Sequence, residues 1–292
     1  MRLLSFFILV TAAAFALGSD TLHILSDSIK PTVDPPATEL DEGLKLGLFT
    51  SPHHIVDWMD GRINFACKDR FQYEIYDVQD IEMFDVKYDD CHQPWVMCRH
   101  TNAPHTADSI AEAVSMIPVS MRQYIRHVIA LPDARIEGEE QTYNDFDTIV
   151  LKGKASIHTI IAMAAVSLGR YASMSGTDYW ENEEWLQAFG NDNAVLNVAS
   201  QTSQQANFAH MTVMALVDYQ NPGTWGKAVP ELNRVKHQVQ RIQRDLGGHF
   251  EFKVDGGVKQ CLRRMLQDSV AGRAEQLPMS PGRLARPWVN AV

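Results

Sequence analysis

Hydrophobic and polar positions follow different periods along this chain, and the changes of period mark its elements. Ile149 to Leu151 is a short apolar run that turns through Lys152, Gly153 and Lys154 into a segment apolar on nearly every face up to Leu168. This predicts a strand followed by a buried helix, because a helix with one wet face would carry a polar stripe. A second apolar helix is predicted from Gln204 to Val217, and His127 to Leu131 reads as a strand. Phe71 to Val86 is rich in aromatic and β-branched residues with partial alternation, which predicts one or two strands.

Amphipathic spacing predicts further helices. One starts near Thr106 or Asp108 and stops before Pro118, a short one begins at Ser120, and another runs from Glu183 to Phe189 around Trp185. Pro230 opens a helix with Leu232, Val235, Val239, Ile242 and Leu246 on one side, closed by Gly247-Gly248. Asp133 to Asp147 reads as a polar connector. Residues 19–42, with Pro31, Pro35 and Pro36, read as an extended leader. The order of strands and helices predicts an α+β fold, with a mixed sheet and a buried central helix, in a single domain over residues 43–274. No Ser/Gly-rich linker divides it and no internal repeat is visible. Residues 275–292, rich in proline and arginine, are expected to be a disordered tail.

The first 18 residues change the picture. Arg2, an apolar run from Leu3 to Ala16 and the small residues around Gly18 have the layout of a secretory signal peptide, too short to span a bilayer. An exported, extracellular protein is expected. The net charge of −10 disfavours nucleic acid and anionic membranes as partners. In an oxidising compartment the four cysteines, Cys67, Cys91, Cys98 and Cys261, suggest two disulfides. Three connectivities are open; Cys91 with Cys98, across a short loop containing Pro94 and Trp95, is preferred, leaving Cys67 for Cys261. The chain has no Asn-x-Ser/Thr sequon. The acids between Glu74 and Asp90 lack the spacing and glycine of a calcium loop and read as solvated strand faces and turns.

Candidate chemistry gathers on the two apolar helices. Zinc peptidases use His-Glu-x-x-His because a spacing of four places both imidazoles on one helix face, with the Glu as general base. Here the frame reads His158-Thr159-Ile160-Ile161-Ala162. His158 survives, and Thr159 cannot act as a base near neutral pH. On the second helix His210 is the one strong ligand type. His158 and His210 are therefore the metal candidates, with His100, His105 or His127 available to complete a nitrogen site. There is no Gly-x-Ser-x-Gly elbow and no phosphate-binding glycine loop.

Several segments together resemble a family of secreted fungal proteins, the conidiation-specific protein 13 group. They are Ala66-Cys67-Lys-Asp-Arg-Phe, Tyr88-Asp-Asp-Cys91-x-x-Pro94-Trp95-x-x-Cys98, Ile117-Pro118-Val-x-Met-Arg122-x-Tyr124-x-Arg126-His127-Val128 and Asn207-Phe208-Ala209. The resemblance implies a fungal source, a secreted or spore-associated location and a fold similar to zinc metallopeptidases. It also implies a His-Glu motif at the central helix and an acid in the later one. This chain keeps only His158: Thr159 stands for the Glu, Ala162 or Met163 for the second His, and Ala206 or Asn207 for the acid. The expectation is a non-catalytic protein on a metallopeptidase-like scaffold, without a cofactor, binding a protein or a wall component. The alternatives are a zinc-dependent hydrolase with unconventional ligands and a secreted effector or surface protein.

Overall fold

The structure is a computed structural model that describes residues 29–132, 142–173, 176–223, 230–254, 257–262 and 264–272. The segment expected to be a signal peptide, the first part of the expected leader and the expected tail from 275 lie outside the described residues.

Six strands form the main sheet: β1 (His53–Asp57), β3 (Ile81–Tyr88), β4 (Trp95–His100), β5 (His127–Leu131), β6 (Thr142–Asp145) and β7 (Thr148–Lys152). Their order is β1-β3-β4-β5-β7-β6. β4, β5 and β7 run parallel to one another and the remaining pairs are antiparallel, so the sheet is mixed. β5 and β7 are buried at every residue, which is why they read as continuous apolar runs without alternation.

The two faces of the sheet bury separate cores. Val86, Tyr88, Trp95, Met97, Val128, Ala130, Ile149 and Leu151 pack under a layer of helices. These include α1 (Ala37–Gly47), α3 (Ala107–Ser115), the short α4 (Val119–Arg122), α5 (Ile157–Tyr171), α6 (Glu183–Asn191), the short α7 (Val198–Thr202), α8 (Gln204–Gln220) and α9 (Lys236–Leu246). The central helix α5 is enclosed from Ile160 to Gly169. On the other face Met83, Val96, Cys98, Ile129 and Val150 pack with Cys67 and Phe71 of α2 (Phe65–Tyr73). β2 (Arg62–Asn64) pairs there with β10 (Val270–Gly272) from the end of the described chain. A small hairpin, β8 (Lys253–Val254) and β9 (Gly257–Val258), lies outside the main sheet.

Four readings of the sequence are corrected. Phe71–Val86 is not strand throughout, because Asn64 accepts a hydrogen bond from Ala66 N–H and caps α2, so Phe71 closes a helix and β3 starts at Ile81. Of the leader, residues 29–36 are extended, and there Val33 and Asp34 bond to Val195 and Leu196. α1 then begins at Ala37 and buries Leu44. Of the polar connector, residues 133–141 lie outside the described residues, while 142–145 form β6, which shields the outer edge of β7.

The disulfides are the fourth correction: Cys67 joins Cys98 and Cys91 joins Cys261. The preferred Cys91–Cys98 loop fails for a reason of sheet geometry. Cys91 ends in the helical core at the β3–β4 turn, whereas Cys98 points from β4 to the opposite face, against α2. Alternation along β4 puts Trp95 and Cys98 on opposite sides, so a short loop cannot close the pair.

The Cys91–Cys261 bond anchors a strap, residues 261–272, across the sheet end where β4 and β5 begin. Arg264 of the strap lies over the Trp95 ring at 3.8 Å and donates to the carbonyls of Pro94, Ile125 and Arg126. Arg122 lies 5.1 Å from the same ring and 4.1 Å from that of Tyr88, and it is ion-paired with buried Asp90. Burial, and then the charge of Arg122, weigh against the protonated form of Arg264.

Candidate functional site

Ser156 caps α5, which places His158 in its first turn. α1 delivers Asp41 to this point. One oxygen, Oδ1, accepts the backbone N–H of His158 at 2.9 Å and lies 3.0 Å from its Nδ1. Burial works against ionisation of Asp41, but the side-chain and backbone hydrogen bonds from His158 outweigh it and hold the carboxyl below its usual range.

Serine, histidine and aspartate meet here, yet not as a hydrolytic triad. That device needs the acid on one ring nitrogen and the nucleophile on the other. Ser156 Oγ is nearest Nδ1, at 3.0 Å, the nitrogen that Asp41 already holds, and 3.3 Å from Nε2. Its oxygen also caps the helix and lies 2.8 Å from Thr159 Oγ1. The arrangement fixes a helix start and an imidazole.

α8 packs along α5 and brings His210 within electrostatic reach of His158. Burial first, and then the charge of His158, push the His210 pKa down to about 4, so the ring is neutral at pH 7. Its Nε2 is buried and has no hydrogen-bond partner among the described residues. The other candidate ligands are placed elsewhere. His105 Nε2 accepts Ala155 N–H, and His100 Nδ1 accepts Asn102 N–H. His127 lies between the Val96 carbonyl and Asp268.

Where an acid would complete a zinc site, Asn207 instead donates to Gln238 at 2.6 Å. Gln238 in turn donates to Asp192, whose carboxylate also accepts the backbone N–H groups of His237 and Gln238 at the start of α9. This amide network joins three helical segments. Among the described residues no three of His, Cys, Asp or Glu gather as a metal site. A donor set of one engaged histidine and one sealed histidine does not fit zinc, which takes at least three protein ligands in its catalytic sites.

A second polar cluster escaped the sequence reading. Beside β6 and β7, Arg70 pairs with Asp145, and Lys152 lies 2.9 Å from Glu74. Tyr143 accepts from Arg70 at 2.9 Å and donates to Glu74 at 2.8 Å. Burial raises the phenol's pKa well above its ordinary value. Only the Arg70–Glu74 spacing of one helical turn was visible locally; Asp145, Lys152 and Tyr143 arrive through the β6–β7 hairpin.

With this geometry in place, comparison with known proteins identifies the chain's relatives. The family model of conidiation-specific protein Con-13 matches residues 38–282. The chain belongs to the Con-13 family. It is similar to conidiation-specific protein 13 of Neurospora crassa, 26% identical over 210 residues, which cover 70% of this chain and 61% of that protein. The match therefore spans less than two thirds of the relative's length. No solved structure matches the chain. The block that carried the family resemblance, Asp90-Cys91-x-x-Pro94-Trp95, is the anchorage of the strap, with an ion pair, a disulfide and a ring between two guanidiniums. In this Con-13 chain the most specific motif holds the fold together.

Proposed function

We propose that this Con-13 protein is an exported, conidiation-associated binding protein, non-catalytic, on a scaffold that retains the helix pair of a metallopeptidase-like site. The observation that carries the reading is the occupation of that helix pair. Thr159 follows His158, Asp41 holds His158 Nδ1, and His210 lies sealed with a neutral ring. The carboxylate that reaches this helix pair, Asp41, is taken up by the backbone N–H and ring of His158, and the position of the general base is held by Thr159.

Export is supported by the apolar leader and by the pairing of all four cysteines in disulfides, which reducing compartments disfavour. No helix among the described residues is long and apolar enough to cross a membrane. The conidiation role follows the name of the Neurospora relative.

The test is elemental mass spectrometry on oxidised protein purified without a metal-affinity tag, alongside His158→Ala. Zinc at background level in cooperatively melting protein is the expected result. About one zinc per chain, lost in His158→Ala, would overturn the reading.

A further inference from the structure

On the α2 side of the sheet, a cavity of about 190 Å³ opens where β5 and β7 begin. The first turn of α2 forms one wall, Ile129 the floor, and Phe146 of the β6–β7 turn the rim. This volume slightly exceeds the roughly 150 Å³ of an apolar cavity that takes up benzene.

Its lining carries charges of both signs, and most are matched. Asp145 pairs with Arg70, the Asp268 carboxylate lies 3.1 Å from His127 Nε2, and Asp69 and Asp268 each have a further partner. Arg126 stands apart. Its Nε is buried without a hydrogen-bond partner, and no carboxylate among the described residues pairs with it. A buried Nε–H left this way is costly, and the fork of a guanidinium matches a carboxylate.

A second, independent observation lies at the rim. Phe146 and Asp147 occupy both central positions of a two-residue hairpin turn, with φ of 45° and 71°. Such turns favour Asn-Gly, and a bulky residue in the left-handed region costs about 1 kcal/mol or more. Phe146 is 53% exposed, and the guanidinium of Arg170 lies 6.0 Å from its ring. The strained turn holds an aromatic ring at the rim of the cavity.

We propose that this cavity binds a small organic carboxylate of about benzoate size, with the carboxylate on Arg126 and the apolar body against Phe65, Ile129 and Phe146. The proposal rests on the reading of the chain as a binding protein and supplies that reading with a site and a ligand class.

The test is calorimetric titration of the oxidised full chain with benzoate, benzamide and inorganic phosphate as probes. Benzoate is expected to saturate one site and the other two to bind at least roughly tenfold more weakly. Arg126→Gln should lose benzoate by a similar factor, with Arg126→Lys intermediate because it keeps charge without the fork. Phe146→Gly should weaken benzoate while its melting temperature holds or rises. That combination separates ligand contact from a structural role. No saturation by benzoate, equal binding of benzamide or phosphate, or wild-type affinity in folded Arg126→Gln would each overturn the site. The zinc measurement is separate, so a benzoate failure in zinc-free protein removes this cavity and leaves the non-catalytic reading standing.

Discussion

At the scale of single residues, the two histidines on the apolar helices have opposite situations. His158 is held by a carboxylate, while the Nε2 of His210, buried on the neighbouring helix, has no hydrogen-bond partner among the described residues. The folded chain therefore binds fewer protons than the unfolded chain between pH 6.5 and about 4, the window of the His210 shift. Stability is fully present above the unfolded pKa and is lost as pH falls toward about 4, by on the order of 3 kcal/mol from this group. Asp41, with its lowered pKa, acts in the same direction at lower pH. Urea unfolding of wild type and His210→Phe at pH 7 and pH 4.5 checks this. The variant should lose much less stability on acidification, and equal losses would acquit His210. Both histidines were legible because each interrupts an apolar run, a local signal. Asp41 was not, for it lies 117 residues from His158 and reaches it through the docking of α1, within a stretch that read as extended leader.

At the scale of elements, local pattern succeeded where burial is one-sided or complete and failed where a cap decides. α3 begins at the hydroxyl of Thr106, one of the two starts that its spacing left open, and α5 and β7 follow their apolar runs. α2 was misread because its buried positions, Cys67, Lys68, Arg70 and Phe71, are mixed in polarity; the polar ones are satisfied by β6 and β10. The junction of the β3–β4 turn with α4 depends in turn on one ion pair. Arg122 is fully enclosed and Asp90 nearly so. Asp90→Ala should cost about 3 kcal/mol or more, because it leaves a buried charge without its counterion. Replacing an exposed acid such as Glu82, which pairs with Arg99 at the surface, should cost less than about 1 kcal/mol. Comparable losses in the two variants, measured by urea unfolding, would count against the buried pair as the organising contact.

At the scale of the molecule, the two disulfides divide the work that the sheet leaves undone. Cys67–Cys98 fastens α2 to one face, at a sequence separation of 31. Cys91–Cys261 spans 170 residues and fixes the strap beneath which Trp95 and the arginines are packed. Pairing was illegible because the nearest cysteines in sequence lie on opposite faces of the sheet, a fact set by strand register and not by loop length. In the chain-entropy account the longer closure restrains the unfolded chain more, by about 5 kcal/mol against about 4. Replacing Cys91 and Cys261 together by Ser should therefore destabilise more than replacing Cys67 and Cys98, and it should free the strap first. Hydrogen exchange at residues 264–272 reads that release directly. Fast exchange there, with β5 and β7 still protected, is the expected pattern, because both strands are paired on either side within the sheet and the strap touches β5 at its first residue, His127. Uniform loss of protection would instead make the strap part of the sheet's cooperative unit. The proposed carboxylate cavity would then depend on the same disulfide, since Asp268 of the strap forms part of its wall.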